Sequence, residues 1–291
     1  MRRTVPPLAV GDWVVVSDAE VIVGVLERRS LLRRRDPERG EQILAANVDV
    51  VAMVFGADRP LKAGRLFRTS AQIYDSGAVP LVVLTKTDLS DDPAALVARV
   101  GEIDPLLDVV AVSAVDGSGL DGLCRHIVGR TFVLVGESGA GKSTLVNALV
   151  GDDVAAVSDV RPGDRRGRHT TTSREAHRVP GGGVLIDTPG LREVGLWTEE
   201  SAVDDTFPEV AEMAEGCRFR DCTHGPEPGC AVLAAVADGN LSAERFAAWE
   251  SLRREAASAV LRADEHARRV EDRKFGRLVR DALKIKGRTD V

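Results

Sequence analysis

The sequence predicts an α/β fold: a doubly wound sheet with a short β-rich segment before it and a helical segment after it. From residue 48 to residue 198, apolar runs of strand length such as VDVVAMVFG and PLVVL alternate with segments of helical periodicity, which is typical of a largely parallel sheet. Residues 1–47 alternate short β-rich runs with turns, and residues 199–291 combine helices with a cysteine-rich loop. We therefore predict three domains with these boundaries.

The amino-terminal segment is expected to form a small β-barrel or part of one. GDWVVV and AEVIVGVLE have β character and are followed by the basic run ERRSLLRRR. The segment is short for five strands, which indicates either a reduced barrel or a truncated start. The arginine run suits a phosphate-bearing partner, although a solvated surface would explain it equally well.

The composition is that of a soluble globular protein. The chain has 291 residues, of which 44% are hydrophobic and 29% charged. No apolar run approaches the ~18 residues that would span a bilayer, and no apolar stretch follows MRRTVPPLAVGD to make a signal peptide. We expect a cytoplasmic monomer without membrane contact and with reduced cysteines.

A phosphate-binding loop is predicted at GESGAGKST, which satisfies the pattern G-x-x-x-x-G-K-[ST] between a buried strand and a helix. Gly136 and Gly141 let the backbone curl so that successive N–H groups face phosphate oxygens. Lys142 would bind the β- and γ-phosphates, and Ser143 would bind Mg²⁺. A glycine-rich turn without a nucleotide is the alternative. The nucleotide contacts expected here are Gly136, Glu137, Ser138, Gly139, Ala140, Gly141, Lys142, Ser143 and Thr144.

Two further stretches would complete the phosphate and magnesium contacts. In IDTPG, Asp187 can hold Mg²⁺ through water, and the Gly190 N–H can sense the γ-phosphate. In GRHTTT, one of Thr170, Thr171 and Thr172 could complete the metal's shell, and we favour Thr171.

A guanine-binding loop is predicted at TKTD, which ends the strand PLVVL. Asp88 can accept hydrogen bonds from guanine N1–H and N2–H₂, a donor pair that adenine lacks, and Lys86 can lie along the base. In the following VSA, after Ser113, the Ala114 N–H can reach guanine O6. A surface turn is the alternative for so short a string. The expected base contacts are Thr85, Lys86, Thr87, Asp88, Ser113 and Ala114.

Threonine replaces the asparagine that usually begins this guanine motif. Thr85 keeps a hydroxyl but lacks the amide, which leaves open whether the contact between the guanine loop and the phosphate loop is made.

A metal site is predicted at GCRFRDCTHGPEPGC, in which Cys217, Cys222, His224 and Cys230 have the spacing C-x₄-C-x-H-x₅-C. Three thiolates and one imidazole suit tetrahedral Zn²⁺ and leave no open position, so the zinc would be structural. Buried cysteines beside a chance histidine are the alternative. Cys124 lies on an amphipathic helix and is expected to be a small core residue.

The order of these motifs is that of a circularly permuted GTPase, with the guanine loop before the phosphate loop. In this order and in the motifs GDWV, AANVD, TKTDL, VSA, GESGAGKSTLVN, GRHTTT and DTPG, the chain resembles the ribosome small-subunit-dependent GTPase A family. The metal cluster also matches. The resemblance implies an amino-terminal β-barrel of the oligonucleotide/oligosaccharide-binding type, a permuted GTPase domain and a helical zinc domain. It also implies GTP hydrolysis to GDP, with the small ribosomal subunit and its rRNA as partner, late in assembly.

Hydrolysis by this chain is expected to be slow unaided. Leu191 follows DTPG, where many small GTPases carry a glutamine that orients the attacking water. His169 is the best internal candidate for that role, acting with Lys142 and Thr171, although a loop hydrogen bond or an RNA contact would also explain this histidine.

Two other functional classes stay open at the level of sequence. Thr85 motivates a P-loop ATPase or small-molecule kinase. The other class is an RNA-binding zinc protein with a structural nucleotide. The residues from 251 onward carry a surplus of basic residues, and FGRLVRDALKIK has the spacing of an amphipathic basic helix that could lie on RNA, although a plain surface helix would also explain it.

Overall fold

The computed structural model places the described residues in two compact units, residues 1–198 and residues 199–291. The described residues are 7–36, 40–151, 175–187, 200–225 and 227–258. Among the helices in these ranges, none has both the length and the hydropathy needed to cross a membrane.

The first unit begins with two antiparallel hairpins. Strand β1 (Val14–Val16) pairs with β2 (Ile22–Val25), and β3 (Leu31–Asp36) pairs with β4 (Gly40–Ala46). Within the described residues the two pairs are separate two-stranded sheets. The predicted β-rich segment is therefore present, as two hairpins within the described residues.

The first hairpin exposes apolar side chains on its strands, while its base is held firmly. Trp13 is 64% exposed and Val15 is 47% exposed. Below them, Arg28 Nε lies 2.7 Å from a carboxylate oxygen of Asp12, and this hydrogen bond lowers the pKa of Asp12. Asn47 Nδ2 also donates to the Gly11 carbonyl at 2.9 Å. The base of the hairpin is thus bonded to the residues that precede the central sheet.

The central sheet has six strands in the order β7-β6-β5-β8-β10-β9. All neighbouring pairs are parallel except β9–β10, which is antiparallel. The strands are β5 (Val50–Gly56), β6 (Val79–Thr85), β7 (Asp108–Ala111), β8 (Thr131–Val135), β9 (Glu175–Val179) and β10 (Gly183–Asp187). The chain enters the sheet in its middle, at β5, and returns beside β5 with β8, so that the order of the strands is circularly permuted.

Four helices cover the sheet: α1 (Ala63–Asp75), α2 (Pro93–Ile103), α3 (Leu120–Ile127) and α4 (Lys142–Val150). Helix α2 shows how the sequence sets a boundary, since Asp92 accepts a hydrogen bond from the Ala95 N–H at 3.0 Å and Pro93 follows it. One buried cluster joins the sheet to α3 and α4 through Ala52, Val83, Leu134, Leu123, Ile127 and Leu145. The central strands are apolar along their whole length because both faces of the sheet are buried.

The second unit is helical. Its helices are α5 (Glu200–Thr206), α6 (Pro208–Ala214), α7 (Ala231–Ala237) and α8, which is described over residues 243–258. Arg245 of α8 is buried and donates to the Thr206 carbonyl at 3.0 Å. Its guanidinium also bonds Glu209 and lies 5.0 Å from the centre of the Phe207 ring. Arg245 therefore ties α8 to the α5–α6 pair.

Candidate functional site

The phosphate loop joins β8 to α4 and requires glycine at its bends. Gly136, Gly139 and Gly141 have φ values of 152°, 77° and 85°, which other residues rarely adopt. A Cβ on Gly136 would lie 2.4 Å from the Val54 carbonyl oxygen. The loop therefore packs against β5 as closely as its backbone allows, and it leads directly into the first turn of α4.

Lys142 lies at the centre of this loop. Its Nζ donates to the carbonyl oxygens of Gly136 and Glu137, each at 2.6 Å. An ammonium group beside the amino-terminal end of a helix adds positive charge where anions bind. The phosphates of a nucleotide would replace these carbonyl contacts at the same ammonium group.

Thr85 answers the question that the sequence left open about the guanine loop. Its hydroxyl donates to the carbonyl of Ala140 in the phosphate loop at 2.6 Å, and the Phe55 carbonyl lies at 3.2 Å. Thr85 is 2% exposed, so this bond is shielded from water. The hydroxyl of threonine thus makes a bond between the guanine loop and the phosphate loop without an amide.

Asp88 is oriented by the second guanine-binding stretch. The Ser113 hydroxyl donates to Asp88 Oδ1 at 2.7 Å, and the Ser113 side chain is fully buried. The Thr87 N–H also donates to the Val112 carbonyl at 3.3 Å, which joins the two stretches through the backbone. Asp88 itself is exposed, so its carboxylate stays accessible while Ser113 fixes its direction.

Three charged residues beside these loops were not predicted from the sequence: Asp58, Arg59 and Arg65. Lys86 Nζ donates to Asp58 Oδ2 at 2.8 Å, and this hydrogen bond lowers the pKa of Asp58. Arg59 donates to the Ser138 carbonyl at 3.1 Å, and Glu137 forms an ion pair with Arg65. Lys86 and Glu137 belong to the predicted loops, whereas Asp58, Arg59 and Arg65 match no phosphate- or guanine-binding motif. Only the place of Asp58 and Arg59 after a buried strand of the sheet could have drawn attention to them.

A cavity of about 490 Å³ lies on the α1 side of the phosphate loop. Arg59, Lys62, Arg65, Arg68 and Glu137 are among its lining residues. The guanine-loop residues do not line it, so this cavity is distinct from the place where Thr85, Asp88 and Ser113 converge.

Some of the remaining predicted contacts of the nucleotide and Mg²⁺ lie within the described residues, and the others lie outside them. Ser143 and Thr144 lie in the first turn of α4, and Asp187 ends β10, the strand next to β8. Ala114 follows Ser113 and is half-buried. His169, Thr170, Thr171, Thr172, Gly190 and Leu191 lie outside the described residues.

The metal-binding motif brings its four side chains together in the second unit. The ligand atoms of Cys217, Cys222, His224 and Cys230 all lie within 4.8 Å of one another. Cys217 Sγ is 4.0 Å from Cys230 Sγ and 3.6 Å from His224 Nδ1. Zn–S bonds of about 2.3 Å in a tetrahedron place sulfurs about 3.8 Å apart, so the donor set fits Zn²⁺.

The surroundings of His224 favour a neutral imidazole. Burial lowers the pKa of His224, and the positive charge of Arg253 lowers it further. The imidazole lies 5.4 Å from the Trp249 ring. A neutral imidazole has a free lone pair, so the ring can bind a metal ion without first losing a proton.

The chain matches a known family of GTPases. The family model described as RsgA GTPase matches residues 25–197. The chain belongs to the RsgA GTPase family. Membership confirms the predicted family and GTPase class, and the permuted strand order is the one expected for it.

Members of the RsgA family resemble the chain over most of its length. The small ribosomal subunit biogenesis GTPase RsgA of Streptomyces coelicolor is 45% identical over 287 residues, which cover 95% of this chain and 78% of the relative. The small ribosomal subunit biogenesis GTPase RsgA 2 of Vibrio parahaemolyticus is 40% identical over 291 residues, which cover 98% and 80%.

Two solved structures share the fold of this RsgA family member. YjeQ from Thermotoga maritima has a TM-score of 0.65 and 27% identity, over 87% of this chain and 85% of that one. YloQ, described as a circularly permuted GTPase, has a TM-score of 0.64 and 26% identity, over 87% and 82%.

Proposed function

We propose that this chain is a Mg²⁺-dependent GTPase that hydrolyses GTP to GDP and phosphate in the cytoplasm. It acts late in the maturation of the small ribosomal subunit, and binding to that subunit stimulates hydrolysis. Membership of the RsgA GTPase family supports the activity. The similar proteins from Streptomyces coelicolor and Vibrio parahaemolyticus are named small ribosomal subunit biogenesis GTPases, which supports the partner.

One observation supports the guanine specificity: Ser113 directs the Asp88 carboxylate, while Thr85 joins the guanine loop to the phosphate loop. Thr85 bonds the Ala140 carbonyl at 2.6 Å, and Ser113 directs Asp88 at 2.7 Å. Asp88 would accept from guanine N1–H and N2–H₂. Adenine would offer this carboxylate no donor from the base, and a carboxylate oxygen left without its base partner in a binding site is costly.

Two side chains with oxygen ligands suited to Mg²⁺ lie on neighbouring elements. Ser143 lies in the first turn of α4, after β8, and Asp187 ends β10, which pairs with β8. These two residues would hold the ion, with Thr171 as the preferred third contributor. Bound Mg²⁺ supplies positive charge that neutralises the phosphate oxygens.

The chain's own residues have distinct roles in hydrolysis. Lys142 would move from the carbonyls of Gly136 and Glu137 to the β- and γ-phosphates. We assign the positioning of the attacking water to His169, and contact with the γ-phosphate to the N–H of Gly190. Because Leu191 cannot orient water, hydrolysis would be slow until the small ribosomal subunit binds.

Contact with rRNA is assigned to basic segments. The hairpin β3–β4 carries Arg33 and Arg34, whereas the strands of β1 and β2 carry no basic side chain. Arg33 lies 3.9 Å from Asp75, and Arg34 donates to Gln42 at 2.8 Å. Asp75 neutralises part of the basic charge, and Gln42 occupies one donor of Arg34. The basic tail from residue 251 onward would therefore supply much of the salt-dependent binding to rRNA.

Nucleotide and subunit binding are proposed to be coupled. The segment after Asp187 continues directly into the unit that carries the cysteine cluster and the basic tail. GTP would then strengthen subunit binding relative to GDP by on the order of 1–3 kcal/mol, and the subunit would favour GTP equally. Co-sedimentation with small subunits in a non-hydrolysable GTP analogue and in GDP measures this, and equal binding contradicts it.

GTP hydrolysis with and without purified small subunits tests the proposed function. We expect slow single-turnover hydrolysis by the protein alone and a faster rate with small subunits. Large subunits are the matched control and should not accelerate it. No release of phosphate with small subunits present would contradict the GTPase assignment and favour a structural nucleotide.

A further inference from the structure

The loop after β5, residues 57–62, lies between the two nucleotide-binding loops. β5 is a central strand that pairs with β6 on one side and with β8 on the other. β6 leads into the guanine loop and β8 into the phosphate loop. Because the three strands are parallel, their carboxyl ends meet at one edge of the sheet, and the loop after β5 reaches both neighbours.

On one side, this loop holds the lysine of the guanine loop. Asp58 Oδ2 accepts from Lys86 Nζ at 2.8 Å, and each side chain is only 29% exposed. Gly56 allows the Asp58 carboxylate to fold back, because a Cβ on Gly56 would lie 2.3 Å from Asp58 Oδ1. The Ala57 N–H also donates to the Thr85 carbonyl at 2.8 Å. Asp58 thus fixes the ammonium group of Lys86, while the Ala57 N–H joins the backbone of this loop to that of the guanine loop.

On the other side, the loop holds the phosphate loop. Arg59 Nη1 donates to the Ser138 carbonyl at 3.1 Å and lies 3.6 Å from a carboxylate oxygen of Glu137. A loop that points its N–H groups at phosphate turns carbonyl groups outward, and these carbonyls need donors. Arg59 supplies the donor for Ser138, as Thr85 does for Ala140.

Lys86 and Arg59 both lie near the same carboxylate oxygen of Asp58. Asp58 Oδ2, which accepts from Lys86, also lies 3.8 Å from Arg59 Nε. Charged groups therefore follow one another from Lys86 through Asp58 and Arg59 to the Ser138 carbonyl. A change at either end of this series alters the partners of the next group.

We propose that Asp58 and Arg59 are positioning residues that couple the guanine loop to the phosphate loop. Asp58 holds Lys86 in place for the base, and Arg59 holds the Ser138 carbonyl outward so that the neighbouring N–H groups face the phosphates. This inference rests on the proposed function, because it assigns both roles toward a guanine nucleotide.

The affinities of GDP and GMP separate the two roles, measured by competition against a fluorescent GDP. Arg59→Gln is expected to weaken GDP about tenfold but GMP about twofold, because the β-phosphate that occupies the loop is absent from GMP. Asp58→Asn is expected to weaken both nucleotides by the same factor, about fivefold, because Lys86 acts on the base.

Coupling is tested by combining the two substitutions. The double variant should lose less GDP affinity than the product of the two single losses, since each single variant already breaks the series. A loss equal to that product overturns the coupling. Arg59→Lys, which keeps the charge and one donor, should recover part of the ratio between GDP and GMP affinity.

Stability and control measurements separate positioning from folding. The melting temperature without nucleotide should stay unchanged in both variants. The matched control is Arg99→Gln, which breaks an exposed ion pair with Glu102 on α2 and should leave both affinities unchanged. Equal weakening of GDP and GMP by Arg59→Gln, or no weakening, overturns the inference. A wild-type protein that binds no GDP overturns the proposed function instead.

Discussion

The nucleotide loops and the cysteine cluster differ in what their binding groups touch. In the cluster, the four donor atoms already converge within 4.8 Å and face one another. At the nucleotide loops, the groups expected to contact the ligand are bonded to protein atoms. Lys142 donates to two backbone carbonyls, and Asp88 accepts from Ser113.

This difference distinguishes a permanent ligand from an exchangeable one. Three thiol groups and an imidazole at such distances suit a bound metal ion, and four ligands would leave no position for exchange. The nucleotide loops are instead held by their own contacts, such as Thr85 to Ala140, and Lys142 has alternative acceptors. Loss of zinc should therefore unfold its surroundings, whereas loss of nucleotide should leave the loops in place.

The largest expected effect is loss of the metal in Cys222→Ala. We expect one zinc ion per wild-type chain and none in the variant, with local unfolding of the second unit, because structural zinc contributes folding energy outright. Elemental analysis of protein prepared without chelator, together with limited proteolysis, measures both. The matched control is Cys124→Ala, since Cys124 packs against the core of the first unit, and it should keep its zinc. Wild-type protein without zinc would contradict the permanent site.

Lys142→Ala should have the next largest effect. Removing the ammonium is expected to weaken GDP and GTP by on the order of a hundredfold or more, because Lys142 would face the β- and γ-phosphates. Titration of a fluorescent nucleotide gives the affinity. Zinc content should stay at one ion per chain, and a combined loss of zinc and nucleotide would contradict the independence of the two sites.

Substitution of Thr85 separates the hydroxyl from the shape of the side chain. Thr85→Val keeps the shape but removes the donor to Ala140, so GDP affinity should fall by about tenfold as a buried carbonyl loses its partner. Thr85→Asn, which supplies an amide donor, should stay within about threefold of wild type. GDP titration of both variants decides this. Equal affinity of Thr85→Val and wild type would show that the contact does not organise the site.

Ser113→Ala is expected to have the smallest effect. The Asp88 carboxylate would lose one donor at 2.7 Å, but Asp88 is exposed and water can replace that donor. We expect GDP to weaken by about threefold. Competition of GDP against IDP, which lacks the N2 amino group, should show a smaller preference for GDP in this variant. An unchanged preference would mean that Ser113 does not direct Asp88.

The sequence predicted the parts of the fold that depend on local patterns. Apolar runs gave the strands of the central sheet, and the glycine positions gave the phosphate loop, because both follow from burial and backbone geometry along a few residues. The convergence of Cys217, Cys222, His224 and Cys230 followed from their spacing.

Contacts between distant segments were not predictable in this way. The bond from Thr85 to Ala140 joins residues 55 positions apart, and the pattern of one loop cannot show whether a hydroxyl reaches another. Asp58 and Arg59 were missed for the same reason. The arrangement of the amino-terminal strands as two separate hairpins also depends on pairing between strands, which periodicity does not specify.

Comparison of GDP and ADP affinity by calorimetry tests the central claim most directly. This claim is that the guanine loop and the phosphate loop, joined by Thr85, form a guanine-specific site. The account predicts that GDP binds tighter than ADP by on the order of a hundredfold or more, because the adenine of ADP offers Asp88 no donor. ADP binding as tight as or tighter than GDP binding would contradict the account and favour an ATPase or kinase.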